Sequence, residues 1–229
     1  MDSSTDPPPP TPPVVAIDGP AASGKSSVAR ALAAEIGAAH LNSGLTYRAA
    51  TRAVLDAQID PRDAEAVGRF MRAAEVRCEP GGQGGLRVII NGIERVGLDE
   101  NDVNDAVSPV SSVPEVRVRM VAIQREIAAT RTTVVEGRDI GSVVFPDTPY
   151  KFYIDAPPSV RERRRAAQGL TDSVAERDRA DSSRAESPLV VPEDAKVIDS
   201  SSLDVGGVVA AIVESLAERG FPGAEGVAQ

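Results

Sequence analysis

Cysteine occurs once in the 229 residues, at Cys78, so no internal disulfide can form. Basic residues are in the minority as well, 25 lysines and arginines against 34 aspartates and glutamates, for a formal charge of −9. That balance argues against a broad electropositive face, and polymeric DNA or RNA is not an expected partner. No apolar run approaches the length of a membrane span. There is no repeat at a fixed period and no N-K-x-D sequence to read guanine, which disfavours a GTPase. The start, Met1 to Pro13, lacks the basic and apolar stretches of a signal peptide and reads as a proline-rich tail, residues 1–13, outside the fold. Together these absences predict a cytoplasmic protein without membrane contact, expected to be monomeric.

What is present begins at Val14. Val14-Val15-Ala16-Ile17-Asp18 is a β-branched run suited to a buried strand, and Gly19-Pro20-Ala21-Ala22-Ser23-Gly24-Lys25-Ser26 fits G-x-x-x-x-G-K-S at every position. Glycines let the backbone wrap closely around a polyphosphate with its N–H groups pointing inward. In such a loop Lys25 neutralises β/γ oxygens and Ser26 holds Mg²⁺. Ser27 to Ile36 has a helical composition, so the bound phosphates would sit at a positive helix N-terminus. Gly19 to Ser27 is the candidate ATP cradle.

Downstream, helices are expected over Thr46 to Ala57 and Asp63 to Ala74, and over Glu115 to Ala129 behind Pro114, with Val118, Val121, Ala122 and Ile127 as the inner side of the last. Glu75 to Glu79 and Leu86 to Ile90 read as a hairpin opening a small antiparallel insert, residues 75–107. Thr132 to Glu136, Tyr150 to Asp155 and Val197 to Asp199 read as further strands. Strands alternating with helices predict an α/β fold, a P-loop NTPase-type parallel sheet flanked by helices with its ligand beyond the carboxyl ends of the strands. The domain is expected over residues 14–220, with a C-terminal tail at 221–229.

Arginine is locally grouped in this acidic chain. Arg161, Arg163, Arg164 and Arg165 share one helical stretch, and Arg177, Arg179 and Arg184 follow. Guanidinium binds phosphate oxygens bidentately without losing its charge. Arg161, Arg164 and Arg165 are candidates to assist phosphoryl transfer, while Arg163 reads as solvated. Glu136 ends a strand in the manner of a Walker B acid and is, with Ser26, the candidate metal ligand. His40, the only histidine, reads as a packed strand residue.

Several blocks resemble the bacterial cytidylate kinases: Ile17-Asp18-Gly19-Pro20, Ser43-Gly44 with Tyr47-Arg48, Val110 to Pro114 with Val116-Arg117, Glu136-Gly137-Arg138-Asp139-Ile140-Gly141, Val143 to Asp147, and Ser183-Arg184-Ala185 with Ser187-Pro188-Leu189. The resemblance runs from Val14 to Arg219. It implies ATP- and Mg²⁺-dependent conversion of CMP and dCMP to the diphosphates, on a core with a short lid at 161–184. It further implies that Ser43, Arg48, Arg138 and Arg184 hold the monophosphate, that Ser108, Arg117 and Asp139 read cytosine, that Arg177 and Asp181 contact the sugar, and that Tyr47 packs against the nucleotide. Kinases of another small acceptor and a noncatalytic nucleotide switch remain the alternatives at this stage. Asn42 stands where that family usually has aspartate, and the stretch from Arg165 to Arg177 is shorter than its usual lid.

Overall fold

The β-branched run that opens the fold lies at the middle of a five-stranded parallel sheet. The computed structural model describes residues 11–81, 86–167, 178–179 and 189–222. Strand β1 (Val14–Asp18) is buried along its whole length because it is flanked on both edges, by β6 (Thr133–Gly137) and β7 (Tyr150–Asp155). Strand β2 (Ala39–Asn42) pairs with the far side of β6, and β8 (Lys196–Asp199) pairs with β7, giving the order β2-β6-β1-β7-β8. Parallel strands covered on both faces are expected to be near-continuously apolar, as Val14 to Ile17 and Val134-Val135 are.

One face is filled by α1 (Lys25–Glu35) and α7 (Val205–Glu218), whose Val28, Leu32, Val208, Ile212 and Leu216 close over Val15, Ile17 and Phe152. On the other, α2 (Ser43–Asp56), α3 (Ala64–Ala73), α4 (Asn101–Ser111) and α5 (Pro114–Ala128) build a second core with the antiparallel sheet β3 (Val76–Pro80), β4 (Leu86–Ile90), β5 (Ile93–Glu94). Helix α6 (Pro158–Ala167) leaves β7 and carries the first arginine group.

Three expectations need adjustment. The antiparallel part of the insert stops at Glu94, and its second half is helix α4. On α5 the buried side is Val116, Arg117, Met120, Ile123, Gln124 and Ala128, while Val118 is 73% exposed. Val121 and Ile127 of the expected stripe are half-buried against the core, and Arg117 is held inward by its ion pair with Asp139. Phe221, expected to begin a tail, is buried and meets Tyr150 edge-on at 4.9 Å, so the core reaches it.

Candidate active site

The strand registers bring the polar segments that follow β1, β2, β6 and β7 to one edge of the sheet. Asp18 is opposite Gly137 and Tyr153, and Asn42 is opposite Glu136, so the loops after β1, β2, β6 and β7 leave the sheet side by side. Ligands of open α/β sheets bind beyond such carboxyl ends.

The loop after β1 is shaped for a polyphosphate. A Cβ at Gly19 would collide with the Ile154 carbonyl of β7, so only glycine lets the chain turn this tightly against the sheet. Gly24 has φ 93°, a left-handed conformation that glycine adopts without strain, and it delivers the chain directly into α1. Lys25 folds back over the loop and donates to the Pro20 carbonyl at 3.2 Å. Ser26 donates to Glu136 Oε2 at 2.5 Å, and His40 Nε2 lies 3.2 Å from the other oxygen, Glu136 Oε1. Burial alone would raise the Glu136 carboxyl; the His40 hydrogen bond, the Lys25 charge and the Ser26 hydroxyl outweigh it and hold the group below its ordinary value. An ionised carboxylate and a hydroxyl in contact at the mouth of a phosphate loop form a donor set suited to Mg²⁺, which is usually held by one or two protein oxygens together with substrate phosphates. His40 is therefore more than a packed strand residue, since it orients that carboxylate.

The arginines of α6 reach the same loop from its other side. Arg161 is buried and donates to the carbonyls of Ala156 (2.8 Å) and Ala21 (3.3 Å), and it pairs with Asp178 at 2.7 Å. Arg164 donates to the Ser23 carbonyl at 3.1 Å and to Ser200 Oγ and O at 3.0 and 2.6 Å. Arg165 is buried and Arg163 is exposed. Ser200, just past β8, holds its hydroxyl 2.9 Å from both the Ser23 and the Asp155 carbonyl and donates its one proton between them. It is a support of the loop that a lone serine in a polar stretch does not announce.

Of the acceptor-side candidates, Asp139, Arg138, Arg117 and Ser43 meet at the loop after β6, whereas Arg48 and Ser108 lie along α2 and α4. Asp139 and Arg117 form an ion pair in which each side chain is only 6% exposed, and the Arg117 guanidinium lies 5.6 Å from the centre of the Tyr47 ring. Arg138 is half-buried beside them and Ser43 is buried at the start of α2. Arg48 donates to Asn104 Oδ1 at 2.6 Å, which ties α2 to α4. Ser108 is half-buried in the last turns of α4, so it does not cap a helix start. Arg177, Asp181 and Arg184 lie outside the described residues, as do residues 168–176 of the expected lid.

A backbone cradle for a polyphosphate, set beside a second loop bearing a buried carboxylate–guanidinium pair, brings donor and acceptor chemistry to one sheet edge. The protein is a P-loop kinase, a phosphotransferase. A family model described as cytidylate kinase matches residues 15–218, and the chain belongs to the cytidylate kinase family. Among its relatives, the cytidylate kinase of Mycobacterium leprae is 43% identical over 90% of this chain and 96% of its own. That of Mycolicibacterium paratuberculosis is 46% identical over 86% and 91%, and that of Pelotomaculum thermopropionicum is 40% identical over 88% and 94%. A solved structure from Thermus thermophilus aligns over 90% of this chain and 99% of its own with a TM-score of 0.47 at 19% identity, too distant to add to the argument.

Proposed function

We propose that the protein transfers the γ-phosphoryl group of ATP to CMP and dCMP, giving ADP and CDP or dCDP. The observation that carries this reading is the juxtaposition, on the neighbouring strands β1 and β6, of the phosphate loop and the Arg138–Asp139 loop. An oxygen of the acceptor monophosphate forms the new bond to the γ-phosphorus as the bond to the β–γ bridging oxygen breaks, and the electron pair of that bond leaves on ADP. The acceptor oxygen is already ionised, so no side chain need act as a base, and catalysis is positioning plus charge neutralisation.

In this reading Lys25 and the N–H groups from Gly19 to Ser27 hold the donor phosphates. Arg161 and Arg164 set the loop from behind, and together with Arg165 they supply positive charge to the transferring group. Ser26 and Glu136 hold Mg²⁺, which when bound offsets negative charge on the donor phosphates. On the acceptor side Ser43, Arg48, Arg138 and Arg184 take the monophosphate, with Arg48 exchanging its bond to Asn104 for one to phosphate. Arg117, Asp139 and Ser108 read the amino group and ring edge of cytosine, and Tyr47 packs nearby. The roles of Arg177 and Asp181 at the sugar rest on the family resemblance. The same reading takes residues 14–221 as one kinase domain, with the antiparallel strands and helix α4 as its insert and a lid expected at 161–184, working as a cytoplasmic monomer of 23.9 kDa. Among the described residues, no helix is long and apolar enough to cross a membrane.

An acceptor panel tests the reading. With ATP and Mg²⁺, ADP formation should depend on CMP or dCMP and be far slower with UMP, AMP, GMP or shikimate. Preference for any other acceptor would overturn it. Glu136→Gln keeps the shape of the metal-facing side chain and removes its charge. The Mg²⁺ concentration for half-maximal rate should rise by about tenfold, and an unchanged Mg²⁺ titration would remove Glu136 from the metal site.

A further inference from the structure

Asp18 is the most deeply buried acidic side chain at the strand ends with no place in the scheme above. It is 1% exposed and ends β1 immediately before the phosphate loop. Its two oxygens do not face that loop's interior. Oδ1 accepts the backbone N–H of Ile140 at 2.8 Å, and Oδ2 accepts the N–H of Gly141 at 2.7 Å, partners 122 and 123 residues away.

Those two N–H groups open a five-residue π-turn, Ile140–Val144, in which Val143 and Val144 both bond back to the Asp139 carbonyl. The first N–H groups of any helical turn have no partner within it, and a carboxylate that accepts two of them fixes the direction from which the chain enters. The chain that enters here is Arg138-Asp139. Asp18 therefore grips the acceptor loop at the point where its side chains are aimed, and does so from the residue that begins the donor loop.

We infer that Asp18 is a positioning residue for cytosine selection: by clamping the Ile140 and Gly141 N–H groups it holds Asp139, with its partner Arg117, at the angle that reads the base. This rests on the cytidylate reading above. It predicts that Asp18 governs use of the acceptor and its discrimination, with little effect on the donor, although Asp18 adjoins the donor loop in sequence.

The charges facing Asp18 set how the clamp responds to acid. Lys25 approaches from α1, Asp139 from the loop it holds, and Tyr153 from β7; Tyr153 is kept neutral because burial, with Asp155 and Asp18 adding to it, pushes its hydroxyl up to about 12. Burial raises the Asp18 carboxyl most and Asp139 adds to that, while the Gly141 and Ile140 N–H groups and Lys25 oppose it. The result is a rise from 3.8 to about 6. A raised carboxyl stabilises the fold in its protonated form, so this group's contribution to stability is fully present below 3.8 and is lost as pH rises through about 6. The clamp has the opposite dependence. Protonation turns one acceptor oxygen into a hydroxyl donor and releases one N–H, so the grip weakens as pH falls through that value.

Asp18→Asn makes the same exchange permanently, because an amide presents one acceptor and one donor to the two N–H groups. In a variant with a cooperative thermal transition, the ratio of kcat/KM for CMP to that for UMP should fall by about tenfold, the order expected for one lost buried hydrogen bond. KM for CMP should rise by a similar factor, and KM for ATP should stay within about twofold. Between pH 7 and 5 the CMP KM of the wild type should converge on that of the variant, and the titration of the CMP phosphate is common to both and cancels in the comparison. An equal loss for CMP and UMP, or a larger shift in the ATP KM, would make Asp18 a general support of the sheet edge and overturn the inference. If Asp18→Asn fails to fold, Gly141→Ala tests the same contact, since its methyl would press on the Lys151 stem at 3.2 Å and shift the Gly141 N–H against Asp18 Oδ2, which it would meet at 3.4 Å. It should lower the CMP-to-UMP ratio about threefold, the order of a weakened hydrogen bond, and an unchanged ratio would again overturn the inference. A wild type that does not use CMP at all would instead defeat the cytidylate reading itself.

Discussion

Lys25→Ala should lower CMP-dependent ADP formation by about 10³-fold, the order expected when one preorganised charge is removed from the transferring phosphates, while leaving a folded protein. The side chain crosses the mouth of the loop and donates to the Pro20 carbonyl within it. Its removal therefore takes a charge from the ligand's side of the molecule and no apolar group from the hydrophobic cores. Far-ultraviolet circular dichroism and a thermal melt should match the wild type, and a coupled assay at saturating ATP and CMP reads the rate. Near-normal turnover in the variant would remove the loop from the chemistry.

The second large effect is expected at Asp139, and here stability and activity must be separated. Arg117 and Asp139 are both buried, so Asp139→Ala strands a guanidinium away from water. Breaking such a pair from one side costs about 3–5 kcal/mol, and a lower melting temperature should accompany the loss of CMP activity. The single variant alone cannot separate a reader of cytosine from a structural pair. Replacing both partners by apolar residues, Arg117→Leu with Asp139→Leu, removes the stranded charge, and exchanges of that kind are often neutral in stability. The double variant should recover most of the melting temperature and bind ATP normally, yet remain poor with CMP. Recovery of CMP turnover together with the melting temperature would show that the pair serves the fold alone.

The asymmetry between what the sequence displays and what it conceals has a physical basis. The phosphate loop is legible because its glycines answer local demands, a collision with β7 at Gly19 and a left-handed turn at Gly24. Central strands are legible because burial on both faces selects unbroken β-branched runs. Helix α4 is obscured by Asn101, Asp102, Asn104 and Asp105, which favour turns, and by Pro109, although Val103, Ala106 and Val110 keep a helical spacing. Helix α7 is hidden by Gly206-Gly207 and paired valines, and its Asp204 cap and its packing on α1 decide the matter. The π-turn at Ile140 could not be read locally at all, because the carboxylate that anchors it is 122 residues away. His40 shows the same limit. Nothing nearby marks it, and only the pairing of β2 with β6 brings its ring to Glu136.

The backbone carries Gly19 to Ser26 from the end of β1 into α1, with Ser26 in contact with Glu136. The arginines are subtler. Their clustering on one helix was visible, but Arg161 and Arg164 donate to the carbonyls of the phosphate loop, and only the fold shows that they brace it.

The most direct test follows the phosphorus. ATP labelled in its γ-phosphate is incubated with the protein, Mg²⁺ and saturating CMP, and the products are separated by chromatography. The label should appear in the β-phosphate of CDP in an amount equal to the ADP formed. Label found in inorganic phosphate, or ADP formed at the same rate without CMP, would contradict the account.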